Sequence, residues 1–410
     1  MSVDQDVRPS EDTAALEDSF DFDDALGAEL LDKAKELRTL LASKADAAEQ
    51  AGELDDEVVA ALTDAGLFSM AGPQRIGGLA QSSQSMAKVA AELAKGCPST
   101  AWVYTIYNSC LWFASKLPSA LQSQIFDGGI PRICSPQNGI GQLVADGDNY
   151  ILSGRWAYAT GSHDAAVTMV PALSPEQLPM LVVMPMSDVV LENTWQVAGM
   201  KATGSDTVVA NAVVVPAGNV APFTDISATP PTSVATEDLE PCDYWVNYPI
   251  LRAKALGVLV GCAEGLLEAI SAKSGAPIIY STYAHKSDSA AYHAAIGEAA
   301  TQIRAGRRLV ENSCARIDTA ARQRRVLSVE ERTEARGEGA LVISILTTAI
   351  ERLMDLGGSS GFSTTAPAQR YWRDFSIAAR HVIFNSQISY ESVGRRVLGI
   401  EPGVVEVDML

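Results

Sequence analysis

Proton transfer near neutral pH is the work of histidine, and the chain has four: His163, His285, His293 and His381. His381 is distinguished by its neighbours. It follows Arg380 in a stretch of helical period, with Asp374 seven residues before it and Asn385 four after. On a helix those spacings place all three on one face. A histidine of ordinary pKa in that setting takes a proton from a phenol or an indole N–H. His163 lies three residues after Thr160 and reads as structural or supporting; His285 and His293 fall in a polar stretch and read as exposed. The six cysteines stand singly at 97, 110, 134, 242, 262 and 314. Without a CxxC pair, neither a metal site nor a disulfide framework is expected, and a reducing cytoplasm fits. No GxGxxG follows a strand, and no Walker, HExxH or GxSxG sequence occurs. A nicotinamide-binding Rossmann domain, a P-loop, a zinc protease and a serine hydrolase are therefore unsupported.

The composition narrows the partners. The 410 residues carry 31 basic and 50 acidic side chains, a net charge of −19. That balance disfavours nucleic acid, whose phosphates need a basic footprint, and docking on anionic lipid. No apolar run approaches the roughly 18 residues of a membrane span, and the acidic start lacks a secretory apolar region.

The elements that must position His381 follow from periodicity. Residues 1–24 hold nine acids against Arg8 and read as a flexible tail. From Ala25, apolar residues recur at helical spacing, and further helices are expected at 55–65, 82–95 and 101–117, giving a helical domain over 25–129. Between 130 and 237, β-type runs at 166–170, 180–184 and 208–215 alternate with turn signals, the pattern of a small barrel or sandwich. From 238 to 410 the chain is helical again. The span 250–273 is rich in small residues and reads as buried, and further helices are expected at 289–323, 328–355 and 367–397.

Four stretches, in this order, resemble the acyl-CoA dehydrogenase superfamily, and within it the reduced-flavin-dependent aromatic monooxygenases, the oxygenase components of two-component hydroxylases. They are Gly96-Cys97-Pro98-Ser99-Thr100-Ala101-Trp102, Ser153 to Gly161 (SGRWAYATG), Trp195 to Ser205 (WQVAGMKATGS), and Tyr371-Trp372-Arg373-Asp374 followed by His381. The resemblance covers residues 25–405. It implies an N-terminal helical domain, a middle β domain and a C-terminal four-helix bundle, in a homotetramer.

The implied reaction uses reduced FAD, or FMN, delivered by a separate NAD(P)H:flavin reductase. With O2 it forms a C4a-hydroperoxide that hydroxylates a small aromatic or heteroaromatic substrate. Such an adduct survives when a hydroxyl accepts a hydrogen bond from the flavin N5–H in a dry pocket. By resemblance Thr160 is that hydroxyl, Gly161 lets the ring approach the backbone, and Ser135 lines the same cavity. Trp195 packs the ring, and Thr203, Gly204 and Ser205 offer hydroxyls and N–H groups to the cofactor. Gly357, Gly358 and Ser359 form the glycine-rich loop that approaches flavin from a neighbouring subunit. Arg304, Arg307 and Arg308 are in reach of a pyrophosphate or of acidic neighbours. His381 is the acid–base residue, and Trp102, Asn108, Ser109, Trp112, Asp374 and His381 form the substrate pocket. Phenol hydroxylases of the family often carry a histidine shortly before the tryptophan matching Trp112; here Asn108 and Ser109 stand instead, which favours a heteroaromatic or polycyclic substrate. The alternatives are an acyl-CoA dehydrogenase or oxidase with Glu391 as base, an N- or S-oxygenase of the same fold, and a catalytically silent binding subunit.

Overall fold

The helical period that begins at Ala25 continues unbroken to Ala51 in the computed structural model, which describes residues 25–401, 403–406 and 410. The acidic segment 1–24 lies outside the described residues. After α1 (Ala25–Ala51) come α2 (Asp56–Asp64), α3 (Ser83–Gly96), α4 (Pro98–Ala114) and α5 (Ser119–Phe126). Local chemistry sets these boundaries. Asp55 caps α2 through the Glu57 N–H, Ser82 caps α3 through the Ser85 N–H, and Pro98 opens α4, where its missing N–H costs nothing.

The middle segment is realised as one eight-stranded mixed sheet. Its strands are β1 (Ile133–Cys134), β2 (Gly141–Asp146), β3 (Asn149–Ala159), β4 (Val167–Leu173), β5 (Pro179–Pro185), β6 (Val190–Glu192), β7 (Asp206–Pro216) and β8 (Val220–Pro222). Their order is β6-β7-β3-β2-β4-β5-β8, with β1 parallel to β4. Alternate residues of β4 and β5 serve two apolar clusters. Val170, Ala172 and Val182 join Trp156 on one face, and Met169, Leu181 and Val183 join Cys110, Leu117 and Leu121 from α4, α5 and the turn between them on the other. Trp156 is fully buried, donates to the Pro171 carbonyl at 2.9 Å, and fills the space a Cβ on Gly141 or Gly154 would need.

A short α6 (Phe223–Ser227) leads to the bundle of α7 (Asn247–Ser271), α8 (Ala290–Arg322), α9 (Val329–Gly357), α10 (Pro367–Ala378) and α11 (Ser386–Val397). The single helix expected over 367–397 is thus two, parted by a turn at 379–385. Asn385 caps α11 by accepting from the Ile388 N–H, a start signal that the apolar period masks.

The small residues of α7 bring it hard against α3. A Cβ on Gly261 would lie 1.9 Å from the Ala91 carbonyl oxygen, with no flexible atom to yield. Gly261→Ala is therefore expected to cost about 2–3 kcal/mol in a denaturant melt. Gly275→Ala, where nothing stands within 4 Å, should stay within about 0.5 kcal/mol of wild type.

Candidate active site

The hydroxyls of Thr160, Thr203 and Ser205, which the sequence places 45 residues apart, form one chain. Thr160 follows the end of β3, and a bulge in the β3–β7 pairing turns it toward the loop before β7. Thr160 Oγ1 lies 2.8 Å from Ser205 Oγ, Ser205 Oγ lies 2.7 Å from Thr203 Oγ1, and Thr203 Oγ1 donates to the Met200 carbonyl at 2.8 Å. Beside it Tyr158 has φ +63° and is 58 % exposed, its ring edge-on to the half-buried Trp195 with centroids 5.8 Å apart. Trp195 is itself held by its indole N–H on the Met200 carbonyl at 2.9 Å.

Carboxylates pin this loop. Asp206 Oδ1 accepts from the backbone N–H groups of Thr194 (2.7 Å) and Trp195 (2.8 Å), and its Oδ2 meets His163 Nε2 at 2.7 Å. Burial works to raise Asp206, but these donors outweigh it and hold the carboxyl below its usual value. His163 Nδ1 reaches Glu53 at 2.9 Å, so this histidine is a strut between the end of α1 and β7. From the bundle, Asp374 accepts from the Met200 N–H at 2.5 Å, and Arg373 donates to the Ala198 carbonyl and pairs with Glu49 at 2.7 Å. Asp374 is therefore no part of a substrate pocket. Burial raises its carboxyl to about 7, and the Met200 N–H draws it back only in part.

The glycines also have a different reason from the one expected. The bare side of Gly161 faces the Tyr107 ring, whose hydroxyl donates to the Gly161 carbonyl at 2.6 Å, and that of Gly204 faces His163. Both are required by protein packing.

His381 lies beyond the end of α10, where it caps a short turn. Its Nδ1 accepts from the Ile383 N–H at 3.4 Å, so it does not share a helix face with Asp374 and Asn385. Its ring packs on Trp102, centroids 5.4 Å apart. The side chain keeps accessible surface, yet the surrounding protein desolvates it enough to press its pKa down to about 4. One turn before Trp102, Ser99 contacts the Met200 sulfur at 3.9 Å, so the His381–Trp102 pair and the hydroxyl chain border the same N-terminal end of α4.

Three pocket residues are elsewhere. Asn108 is fully buried and spends its amide on the Leu67 and Tyr104 carbonyls (2.9 and 3.0 Å) and the Ala71 N–H (2.9 Å). Ser109 bonds back to the Thr105 carbonyl at 2.6 Å. Trp112 is buried, donates to the Cys242 carbonyl at 2.9 Å and carries the Lys116 ammonium 3.9 Å above its ring. All three are core. Ser135 stands outside the hydroxyl chain, donating to the Met169 carbonyl at 2.8 Å. Buried Gly357 and exposed Gly358 and Ser359 join α9 to α10, where Phe362 packs on Trp372. Arg307 is held by Glu264 at 2.6 Å and Arg308 by Glu311 at 3.2 Å. Tyr107, Tyr158 and Asp206 escaped sequence reasoning. Asp206, directly after the TGS triplet, had the one usable signal, a lone carboxylate entering a strand.

The family model for the acyl-CoA dehydrogenase N-terminal domain matches residues 29–123 and that for its C-terminal domain matches residues 254–386, together more than half of the chain. The chain belongs to the acyl-CoA dehydrogenase family. Among its relatives in that family, the FADH(2)-dependent resorcinol hydroxylase oxygenase component of a Rhizobium species is 27 % identical over 383 residues, covering 88 % of this chain and 92 % of that one. The flavin-dependent monooxygenase oxygenase subunit HsaA of Mycobacterium tuberculosis is 26 % identical, covering 88 % and 93 %. The structure of XiaF from a Streptomyces species, in complex with FADH2 and glycerol, superposes with a TM-score of 0.87 at 27 % identity, covering 93 % of this chain and 98 % of that one. Among the described residues no helix is long and apolar enough to cross a membrane.

Proposed function

We propose that this acyl-CoA dehydrogenase family member is the oxygenase component of a two-component flavin monooxygenase. It inserts one atom of O2 into an aromatic or heteroaromatic substrate, using reduced FAD or FMN that a separate reductase supplies. The direction of the hydroxyl chain carries this reading. Each hydroxyl has one proton. A carbonyl cannot donate, so the Thr203 proton goes to Met200, the Ser205 proton goes to Thr203, and the Thr160 proton goes to Ser205. The half-buried Thr160 Oγ1 is left as an acceptor, the partner an N–H at the edge of a reduced flavin requires. Reduced flavin, when bound, supplies the electrons that activate O2. The protein's part is to hold that N–H proton at Thr160, to offer Tyr158 and Trp195 as ring surfaces, and to hold the substrate against His381 and Trp102. The loop of Gly357, Gly358 and Ser359 serves a neighbouring subunit's cofactor in a homotetramer.

The test is rapid mixing of protein and reduced flavin with oxygen, alongside 18O2 labelling of product. Wild type is expected to slow flavin reoxidation relative to free flavin and to place one labelled atom in the aromatic product. Thr160→Val keeps the shape, removes the acceptor, and should raise hydrogen peroxide release at least about tenfold. Reoxidation at the free-flavin rate with wild type, or bleaching of oxidised flavin by an acyl thioester, would overturn the reading. Glu391, the base a dehydrogenase would need, is exposed on α11.

A further inference from the structure

His163 is engaged at both ring nitrogens, and both contacts end on carboxylates. Nε2 lies 2.7 Å from Asp206 Oδ2, and Nδ1 lies 2.9 Å from Glu53 Oε2. An ionised carboxylate only accepts, so each contact uses an N–H of the ring. The imidazole is therefore a flat spacer with a donor at either end.

It joins three segments. Glu53 follows the end of α1, and Asp206 opens β7. Between them the ring lies on the turn at Gly204, where an added Cβ would come 2.7 Å from His163 Cδ2. The residues just before His163 hold the same turn: the Gly161 N–H donates to the Thr203 carbonyl at 2.8 Å, and the Ser162 hydroxyl donates to the Gly204 carbonyl at 2.9 Å. Thr203 and Ser205, on either side of Gly204, are the hydroxyls that leave Thr160 as an acceptor. The second oxygen of Asp206 takes the backbone N–H groups of Thr194 and Trp195. Thr160 and Trp195, the two groups read as meeting the flavin, thus both depend on residues that His163 touches.

We propose that His163 is a positioning residue for oxygenation. By bonding Glu53 and Asp206 at once, it fixes the Thr203–Gly204–Ser205 turn and the Trp195 backbone, and so keeps the Thr160 oxygen aimed at the flavin N–H. This rests on the monooxygenase reading and deepens it. A reacting group serves only when its supports hold it to a fraction of an ångström, and His163 acts through such supports rather than on the reacting atoms. Its loss is expected to uncouple oxygen consumption from product rather than to abolish flavin oxidation.

A side chain that merely filled space could be replaced by anything of its size; this one has to present two N–H groups. His163→Gly tests that, since the native side chain is 31 % exposed and its place is open to a small molecule from solvent. Hydrogen peroxide released per reduced flavin oxidised should rise at least about tenfold in the variant, and added imidazole should bring it back to within about twofold of wild type. 1-Methylimidazole, with one nitrogen blocked, should not. Glu53→Leu should raise peroxide release about threefold or more, and Glu53→Gln, which keeps an oxygen for the Nδ1 N–H, should recover most of that loss. Without flavin, hydrogen exchange at the Thr194 and Trp195 amides should quicken at least about tenfold in His163→Gly and slow again with imidazole. Unchanged coupling in His163→Gly, rescue by both compounds or by neither, or equal coupling in the two Glu53 variants overturns the proposal. Wild-type reoxidation at the free-flavin rate would count against the monooxygenase reading instead, and amide exchange would still report on the clamp.

Discussion

Glutamine in place of His381 should preserve most of the coupling between oxygen consumed and product formed, whereas asparagine should lower it by about 10²-fold. The two amides reach different atoms of the ring they replace: the glutamine nitrogen overlays Nε2, the asparagine nitrogen only Nδ1. In this structure Nδ1 is an acceptor, engaged by the Ile383 N–H at 3.4 Å. A neutral imidazole has one proton, so that proton sits on Nε2, which is the ring's donor. Neighbouring protein desolvates this exposed ring and lowers its pKa to about 4, with no charged side chain adding to the effect. Arg380, the adjacent charge, is exposed and turned back to the Ser376 carbonyl at 2.7 Å. A lowered pKa weakens the ring as the base inferred from the sequence. His381 is thus expected to hold an oxygen of substrate or oxidant by donating from Nε2. Coupling should be flat between pH 6 and 8, and 15N NMR of histidine-labelled protein at pH 7 should show a pyrrole-like Nε2 and a pyridine-like Nδ1. An imidazolium signal at that pH, or equal loss in both amide variants, would return His381 to the role of base.

These residues show what a sequence carries and what it leaves out. Periodicity was enough to place α3, α4, α7, α8 and α9 within a few residues, because each buries a stripe whose spacing is written in the chain. The turn at 379–385 was hidden, since the apolar period runs through it and only the Asn385 cap distinguishes two helices from one. Motif residues were legible as a set but not by role. Thr160, Thr203 and Ser205 do converge, and Trp102 does meet His381. Asn108 and Trp112, read as pocket residues on their chemistry, turned out to be satisfied core groups, because their partners at Leu67 and Cys242 lie 41 and 130 residues away. Partners that distant leave no local trace. Asp374 is the clearest case: nothing near it in the chain signals that its acceptor serves a backbone N–H at Met200, 174 residues earlier.

That contact gives the other large effect. Asp374→Ala should weaken retention of reduced flavin at least about tenfold, although Asp374 lies outside the hydroxyl chain, and lower stability by about 2–3 kcal/mol, since the Met200 N–H is left buried without an acceptor. The same Met200 takes the Trp195 indole and the Thr203 hydroxyl on its carbonyl, so freeing its N–H loosens the residues that aim Thr160. Asp374→Asn keeps an oxygen for that N–H and should bind flavin within about twofold of wild type. It differs from wild type in its response to pH. Burial raises the Asp374 carboxyl from its unfolded value near 3.8 to about 7, so the folded state holds a proton that the unfolded state has released. The stability this proton confers is full below pH 3.8 and is lost as pH rises through 7, with a slope of up to about 1.4 kcal/mol per pH unit in the window between. Asp164 and Asp318, each raised to about 6 by burial, slope the same way but are common to both proteins. The difference in unfolding free energy between Asp374→Asn and wild type should therefore grow in favour of the variant from pH 5 to 7.5 and level off above it. A constant difference across that range would mean that Asp374 stays ionised throughout, and that the anchor on the Met200 loop is a fixed charge rather than a carboxyl that titrates at neutral pH.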